Sequence, residues 1–520
     1  MDNKVNLSGE WDVYVNFSEP IESSKEIASI SDWNKISVPG CWEQTDKDKK
    51  SDGPVWYRKR FSVPEDWQGN AISVHFEGVN YYCEVWLNGI SIGFHEGGWN
   101  GFELDVTNNI DFSEQNELLV KVYKQGDRFP IRECLAGFFP DVGVIFGGIW
   151  KPVTVKLMPP VTLEDIFVKP DVKEGKIEVE FDLKNHSFKQ QEMEVQFSLF
   201  NPNGSLEQTI TKTLTVPEVH QLTNHSMTIN LMNDIQLWNP DTPHLYTLET
   251  KAVLEEREIF TDHTRFGMKK VHIEGDHIYL NGSPLYLRGV LHWGWYSETI
   301  APIPTREEIR AELTKVKECG FNLVKHCLYV PTKDYFEIAD EMGIFIWQEL
   351  PMWLPKISDE FYNRVNYQYE RIIKEIRNHP SIILWTLGCE LDHSVNAEFL
   401  SNLYETAKKL TNNAIIRDNS GSGECYGGLL KEYADFYDYH FYNDVHFYRD
   451  LINQFAGSWR EEKPWVFGEF CDYDVFRDIE KVKQQYNGEL PWWLKNDTVE
   501  NPGSIEERWH WYRQEEKMAY

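Results

Sequence analysis

The sequence predicts two β-sandwiches followed by a (β/α)8 barrel, and three observations support this. Short alternating apolar segments cut by Gly, Pro and Asn run to about residue 272, Pro159-Pro160 interrupts them, and beyond Leu285 apolar runs alternate with segments of helical period. The first block, 1–158, reads as a jelly-roll β-sandwich, with strands at Ala71–Phe76, Tyr82–Leu87 and Glu117–Tyr123 and an Asn88-Gly89 turn, a dipeptide that tolerates positive φ. The second, 159–272, is immunoglobulin-sized. Its strands fall at Lys176–Leu183, Glu192–Phe200, Thr209–Val216, Ser226–Leu231 and Tyr246–Leu254, without a Cys…Trp…Cys signature.

The third block, 273–520, carries parallel-sheet texture. Strands are expected at Leu285–Leu291, Asn322–Cys327, Ile344–Gln348, Ser381–Gly388, Ala414–Asp418, Phe436–Phe441 and Trp465–Glu469. Between them Ile309/Leu313/Val316, Val365/Tyr369/Ile372/Ile376 and Phe399/Leu403/Ala407/Leu410 recur at helical spacing. Strand then helix, repeated, points to a TIM barrel. A doubly wound sheet is the competitor, but no G-x-G-x-x-G or phosphate loop accompanies the first strand–helix turn. Ser504–Met518 reads as a seventh helix and no eighth strand follows, so a truncated fragment is the expectation.

A net charge of −31 argues against a nucleic-acid scaffold, which needs clustered cations. No window approaches a membrane span and no apolar leader opens the chain, so a cytoplasmic protein without membrane partners is expected. Eight scattered cysteines with no C-x-x-C pair suggest neither a zinc site nor a disulfide framework. The 20 Trp exceed what cores usually require, and their faces suit the C–H faces of sugars.

In a barrel, polar residues closing apolar strands sit at the active end. Two acids do so: Glu390, after Ser381–Cys389, and Glu469, after Lys463–Gly468. Paired carboxylates across a barrel mouth are the apparatus of glycoside hydrolysis, one protonating the leaving oxygen while the other attacks the anomeric carbon. The attacking group's charge is expected to raise the pKa of its partner.

Asn378-His-Pro-Ser-Ile-Ile-Leu-Trp-Thr-Leu-Gly-Cys-Glu390 resembles the acid/base signature of glycoside hydrolase family 2, the β-galactosidase, β-glucuronidase and β-mannosidase family. Val55-Trp-Tyr-Arg-Lys-Arg-Phe61, Val85-Trp-Leu-Asn-Gly89, Gly93–Gly98 and Gly147–Val153 resemble its sugar-binding sandwich. Leu237-Trp-Asn-Pro240, Leu245-Tyr246 and Arg265-Phe-Gly267 resemble its immunoglobulin-like domain, and Leu280-Asn-Gly282 with Leu287-Arg-Gly289 the start of its barrel. The resemblance implies a retaining exo-β-glycosidase with Glu390 as acid/base and Glu469 as nucleophile, and it places His440 and Tyr442 where related barrels orient the nucleophile. Two departures stand out. Cys389 occupies the position of an Asn that can hydrogen-bond the sugar 2-hydroxyl, and Lys325-His-Cys-Leu-Tyr-Val-Pro331 replaces an Arg…Ser-His-Tyr-Pro run, putting Leu328 where a His is usual.

The other substrate-binding candidates are His292 and Trp293 after strand one, Gln348 and Glu349 closing strand three, Cys389, Asn419, Asp472 and Trp492. Trp295, Trp347 and Trp353 join them as rings for a sugar platform, with Trp347 and Trp385 also readable as barrel filling. No organic cofactor or metal site is expected. Some members of the family use Mg²⁺, but no acidic cluster in the sequence assigns it. The partner is an oligosaccharide or glycoconjugate, with β-galactoside favoured and β-glucuronide or β-mannoside as alternatives; Lys325 or Lys495 could meet a uronate carboxylate. A carbohydrate-binding protein impaired in turnover is the rival from another class, and a homo-oligomer stays open.

Overall fold

The computed structural model describes residues 3–44, 51–136, 145–186, 189–218, 222–296, 298–392, 394–421, 434–441, 449–450, 453, 462–470, 484 and 488. The expected helix at Ser504–Met518 lies outside them.

In the N-terminal block two antiparallel sheets face each other. One has the order Lys4–Asn6, Val153–Met158, Ala71–Phe76, Phe102–Asp105; the other runs Asn34–Val38, Gly9–Val15, Val55–Phe61, Asn116–Tyr123, Tyr82–Leu87, Ile90–Glu96. Period-two alternation builds the core: Cys83, Val85 and Leu87 turn inward from one strand and meet Val74 and Phe76 from the other sheet around Trp11, Trp42 and Tyr57. Asn88 and Gly89 both have positive φ, as the hairpin requires.

The second block is another sandwich. A three-stranded sheet (Val161–Asp171, Lys176–Asn185, Leu222–Asn230) packs on a four-stranded one (Leu206–Val216, Gln191–Phe200, Tyr246–Leu254, Arg257–Phe266). Tyr246–Leu254 alternates strictly between buried and half-buried positions. Val161–Asp171 and Arg257–Phe266 add two strands to those expected from the sequence.

The third block opens with a small antiparallel sheet, Val271–Glu274, His277–Leu280 and Ser283–Leu285. The first parallel strand therefore begins at Gly289 rather than Leu285. Ile278 and Leu280 plug the lower end of the parallel strands against Phe345, Leu384, Ile415 and Phe436. The strands are β1 (Gly289–His292), β2 (Leu323–His326), β3 (Phe345–Glu349), β4 (Ile382–Thr386), β5 (Ile415–Arg417), β6 (Tyr437–Phe441) and β7 (Trp465–Phe470). β1 to β5 form one parallel sheet in sequential order and β6 pairs with β7 in a second. Strands β2 to β5 are buried on both faces, which is why they read as unbroken apolar runs.

Among the described residues four helices cover the outside: α1 (Arg306–Glu318), α2 (Lys333–Met342), α3 (Asp359–Ile376) and α4 (Ala397–Leu410). Thr305 and Glu308 form a reciprocal capping box on α1, and Ser358 and Asn396 cap α3 and α4. The apolar stripes seen in the sequence face the sheet through Ile309, Leu313, Val365, Tyr369, Ile372, Leu403 and Ala407. Asn378, at the start of the signature, ties this block to the second sandwich: its amide donates to Ile166 O (2.7 Å) and accepts from Val168 N (2.9 Å).

Candidate active site

Each strand delivers its polar residue at the same end. β4 stops at Thr386, and an extended segment carries Cys389 and Glu390 onward. Tyr369 of α3 holds that segment by donating to Leu387 O (3.0 Å), and backbone bonds run from Cys389 N to Met352 O (2.9 Å) and from Glu390 N to Ser420 O (2.8 Å). Glu390 has φ 51°, a left-handed conformation costing a non-glycine residue about 1 kcal/mol or more. The next residue locks it there: Leu391 N donates to Asn419 Oδ1 (3.0 Å) and the Asn419 amide donates back to Leu391 O (3.2 Å).

His440, on β6, joins the two acids. Its Nδ1 lies 3.0 Å from Glu390 Oε1 and 3.6 Å from Glu469 Oε2. Its Nε2 lies 2.9 Å from Ser420 Oγ, which gives its only proton to Asp438 and accepts from Lys325 Nζ (2.9 Å). Ser420 therefore has no proton left for His440, so Nε2 is a donor, and two carboxylates facing Nδ1 favour the charged form of the ring. Burial opposes that charge, but the bond to Glu390 prevails and the His440 pKa is raised. The same bond, reinforced by Trp353 Nε1 donating to Glu390 Oε2 (3.1 Å), lowers the Glu390 pKa despite partial burial. This corrects the expectation that Glu469 would hold the Glu390 carboxyl protonated: an interposed cation outweighs the repulsion between the acids.

Lys325 lies beneath the pair. Its ammonium is 2.9 Å from Glu349 Oε2 and 3.5 Å from Glu469 Oε1, all three groups being buried. Burial works to remove its charge, but the two carboxylates leave the Lys325 pKa well above the ordinary lysine value. Glu349 is raised, chiefly by complete burial, with Lys325 opposing. Two thiols complete the wall: Cys327 Sγ lies 3.6 Å and Cys389 Sγ 4.0 Å from Glu469 Oε1.

The sequence candidates Glu349, Cys389, Glu390, His440 and Glu469 thus meet at one centre. His292 and Trp293 line the same cavity, of about 1570 Å³, with Trp295, Trp347 and Trp353. Gln348 and Asn419 are buried, and their amides are spent on the protein: Gln348 Nε2 donates to Tyr329 O (2.8 Å) while its oxygen meets His326 Nδ1 (3.2 Å). Tyr442, Asp472 and Trp492 lie outside the described residues.

Sequence reasoning passed over Cys327, Ser420, Asp438 and Arg132. Polarity beyond a strand's C-terminal end, the rule that found the acids, marks Ser420 as well, whereas Asp438 is the second residue of β6 and falls outside that rule. Arg132, from the first sandwich, gave no signal. Its guanidinium stacks 4.0 Å above the Trp353 ring and reaches Trp353 O (3.4 Å), bringing a cation from another domain to the residue that holds Glu390.

Three family models of the glycosyl hydrolases family 2 match the chain in order: the sugar-binding domain over residues 5–150, the family 2 domain over 161–269 and the TIM barrel domain over 271–476. The chain belongs to glycoside hydrolase family 2. A putative β-glucuronidase of Formosa agariphila is 28% identical over 400 residues, covering 75% of this chain and 46% of that protein. A β-galactosidase of Thermoanaerobacter pseudethanolicus is 26% identical over 396 residues, covering 75% and 51%. The chain thus spans about half the length of the curated family 2 relatives it matches. Among solved structures, a Bacteroides uniformis β-glucuronidase superposes with TM-score 0.76 at 21% identity (90% of this chain, 59% of that one), and a putative β-galactosidase from Bacteroides fragilis with 0.78 at 18% (90% and 71%). These likenesses establish the shared fold. Among the described residues no helix is long and apolar enough to cross a membrane.

Proposed function

We propose that this chain is the catalytic part of a retaining exo-β-glycosidase whose parallel strands belong to a (β/α)8 barrel. One observation carries the reading: Glu390 and Glu469 share His440 Nδ1. The two contacts, 3.0 and 3.6 Å, together cap the separation of those oxygens at 6.6 Å, reached only if the three atoms are collinear. Retaining enzymes need carboxyls about 5–5.5 Å apart and inverting ones roughly 6.5–9.5 Å, so the geometry favours direct attack by a carboxylate over attack by an interposed water.

Glu469 attacks the anomeric carbon and forms a glycosyl-enzyme. Glu390 delivers a proton to the leaving oxygen, taking it from His440 through their 3.0 Å bond, and then activates water for the second displacement. Trp293 and Trp353 offer rings to the sugar face. A β-galactoside is the first substrate, because Lys325 is already committed to Glu349, Glu469 and Ser420 and is not available for a uronate carboxylate. A β-glucuronide is the second reading, and Arg132 beside Trp353 is the observation that favours it.

The test is a panel of nitrophenyl β-glycosides with the anomer of the first product followed by NMR. Release of the β-anomer, lost in Glu469→Gln, is expected. First release of the α-anomer refutes the retaining mechanism. Sugar binding without cleavage of any glycoside makes the chain a carbohydrate-binding protein instead.

A further inference from the structure

We propose that Asp438 is a positioning residue that acts through Ser420 to fix the tautomer of His440, so that the mobile proton of the ring always lies on Nδ1, the nitrogen facing Glu390. The line runs from Asp438 on β6 to Ser420 beyond β5, back to His440 on β6 and on to Glu390 beyond β4. Asp438 and Ser420 are wholly buried and His440 nearly so, which keeps bulk water from competing for these bonds.

Valence decides the direction of each bond. Asp438 Oδ1 accepts from Gly468 N (2.7 Å), and Oδ2 accepts from Ser420. A hydroxyl has one proton and two lone pairs. With its proton aimed at Asp438, Ser420 Oγ accepts from Lys325 Nζ and from His440 Nε2, both at 2.9 Å, and has no capacity left. Nε2 therefore keeps its proton whether the ring is charged or neutral. The proton that leaves a charged ring leaves from Nδ1, 3.0 Å from Glu390 Oε1 and 3.6 Å from Glu469 Oε2. The competing arrangement protonates Asp438, turns the Ser420 proton to Nε2 and leaves the proton of the neutral ring on Nδ1. It is disfavoured because Asp438 shares Ser420 with the Lys325 ammonium, and a cation so near favours the ionised carboxylate. Two glycines make room for the line. A Cβ at Gly421, where φ is +70°, would lie 2.6 Å from His440 Nδ1, and one at Gly468 would strike Asp438 Oδ1.

The consequence for the reaction rests on the glycosidase reading. With Nε2–H fixed, His440 and Glu390 hold one proton between them: Nδ1–H faces an ionised Glu390, or a protonated Glu390 faces an unprotonated Nδ1. In the first displacement the Nδ1 proton passes to Glu390 and from it to the leaving oxygen. In the second, Glu390 takes a proton from water and returns it to Nδ1, so the pair ends as it began. A neutral ring that accepts from Ser420 at Nε2 could give up its Nδ1 proton only by becoming an imidazolate, so it cannot supply that proton. Burial works against the charged ring, Glu390, Asp438 and Glu469 favour it, and Lys325 opposes it. Glu349 and the Cys389 thiol are the other titratable groups around it.

The test follows histidine ring nitrogens by ¹⁵N NMR in wild-type protein labelled at histidine, with the His440 signals identified by their loss in His440→Gln. On titration to high pH the neutral ring should be the Nε2–H tautomer; a neutral Nδ1–H ring overturns the proposal, and this reading is made on the wild type. Asp438→Asn supplies the second arm. Gly468 N holds the amide oxygen, so Nδ2 donates to Ser420 and the Ser420 proton turns to Nε2. The neutral ring of this variant should be the Nδ1–H tautomer. Its alkaline limb of kcat/KM should move down by about one pH unit or more, with kcat roughly tenfold lower and KM within about threefold of wild type. An unchanged tautomer or an unchanged limb in the folded variant overturns the proposal. If glycosides are cleaved and the neutral wild-type ring carries its proton on Nδ1, only the tautomer assignment falls. If the Nε2–H form is found and no glycoside is cleaved, only the glycosidase reading falls.

Discussion

Replacing Lys325 by Met removes the cation that two buried carboxylates share while keeping an unbranched side chain beneath Trp347. In the native protein Glu349 and Glu469 lie 2.9 and 3.5 Å from Nζ, and Glu349 is wholly buried. Breaking a buried pair by deleting one partner costs about 3–5 kcal/mol, because the remaining charge is left uncompensated. For a domain of roughly 250 residues each kcal/mol corresponds to about 2–4 °C, so the barrel transition should fall by about 6–20 °C at pH 7.5 in scanning calorimetry. The sign of the pH dependence follows from Glu349. Its pKa is already raised by burial and rises further without Lys325, so the folded variant binds a proton that the unfolded chain releases above its ordinary value of about 4.3. The deficit should therefore be small near pH 4, grow as pH rises through the range above it, and be partly recovered at neutral pH in Lys325→Met/Glu349→Gln. A drop below about 2 °C at pH 7.5, or a deficit that does not change with pH, would refute the reasoning.

Three further outcomes follow from the same geometry. Because the shared proton rests on His440, whose pKa is raised, the alkaline limb of kcat/KM belongs to the His440–Glu390 pair; in His440→Gln the proton must reside on a carboxyl facing Glu469, and the limb should move to lower pH, an unchanged or higher limb counting against the assignment. Asn419→Ala removes both bonds to Leu391 and should lower kcat by more than it raises KM while costing about 1–3 kcal/mol in denaturant unfolding, since the φ 51° turn that aims Glu390 loses its lock; an effect on KM alone would contradict this. Arg132→Ala loses a stacked cation worth about 1 kcal/mol, so kcat/KM should fall roughly fivefold with the thermal midpoint nearly unchanged, and equal activity would remove Arg132 from the site.

Where the sequence was legible, one period or one rule sufficed. Strands β2 to β5 read as apolar runs because their neighbours bury them on both faces, and Glu390 and Glu469 stood out because a carboxylate closing an apolar run has no surface reason to be there. The signature around Glu390 mixes two roles that its letters do not separate. Asn378 holds Ile166 and Val168 of the second sandwich, and His379 Nδ1 lies 2.6 Å from Asp340 Oδ2, while only Cys389 and Glu390 reach the centre. Asn419 and Gln348 resembled sugar ligands because an amide at a strand end can serve either a hydroxyl or the backbone, and only packing decides between them. Arg132 lies 221 residues from Trp353 in the chain, so no local pattern connects them. The direction of the Glu390 pKa was misjudged for a similar reason: spacing showed two acids but not the histidine between them.

Lys325 and Cys389, the two departures from the family pattern, fall on the same carboxylate, and their effects add. An arginine in place of Lys325 would present a planar fork able to bond two oxygens at once, whereas the ammonium is a point charge drawn to Glu349 at 2.9 Å and left 3.5 Å from Glu469. An asparagine at Cys389 would bring an N–H donor; the thiol, a weak donor, lies 4.0 Å from Glu469 Oε1, and the Cys327 thiol lies 3.6 Å from it. These contacts and the 3.6 Å approach of His440 are all long, so they stabilise the negative charge on Glu469 less than short charge-assisted bonds would.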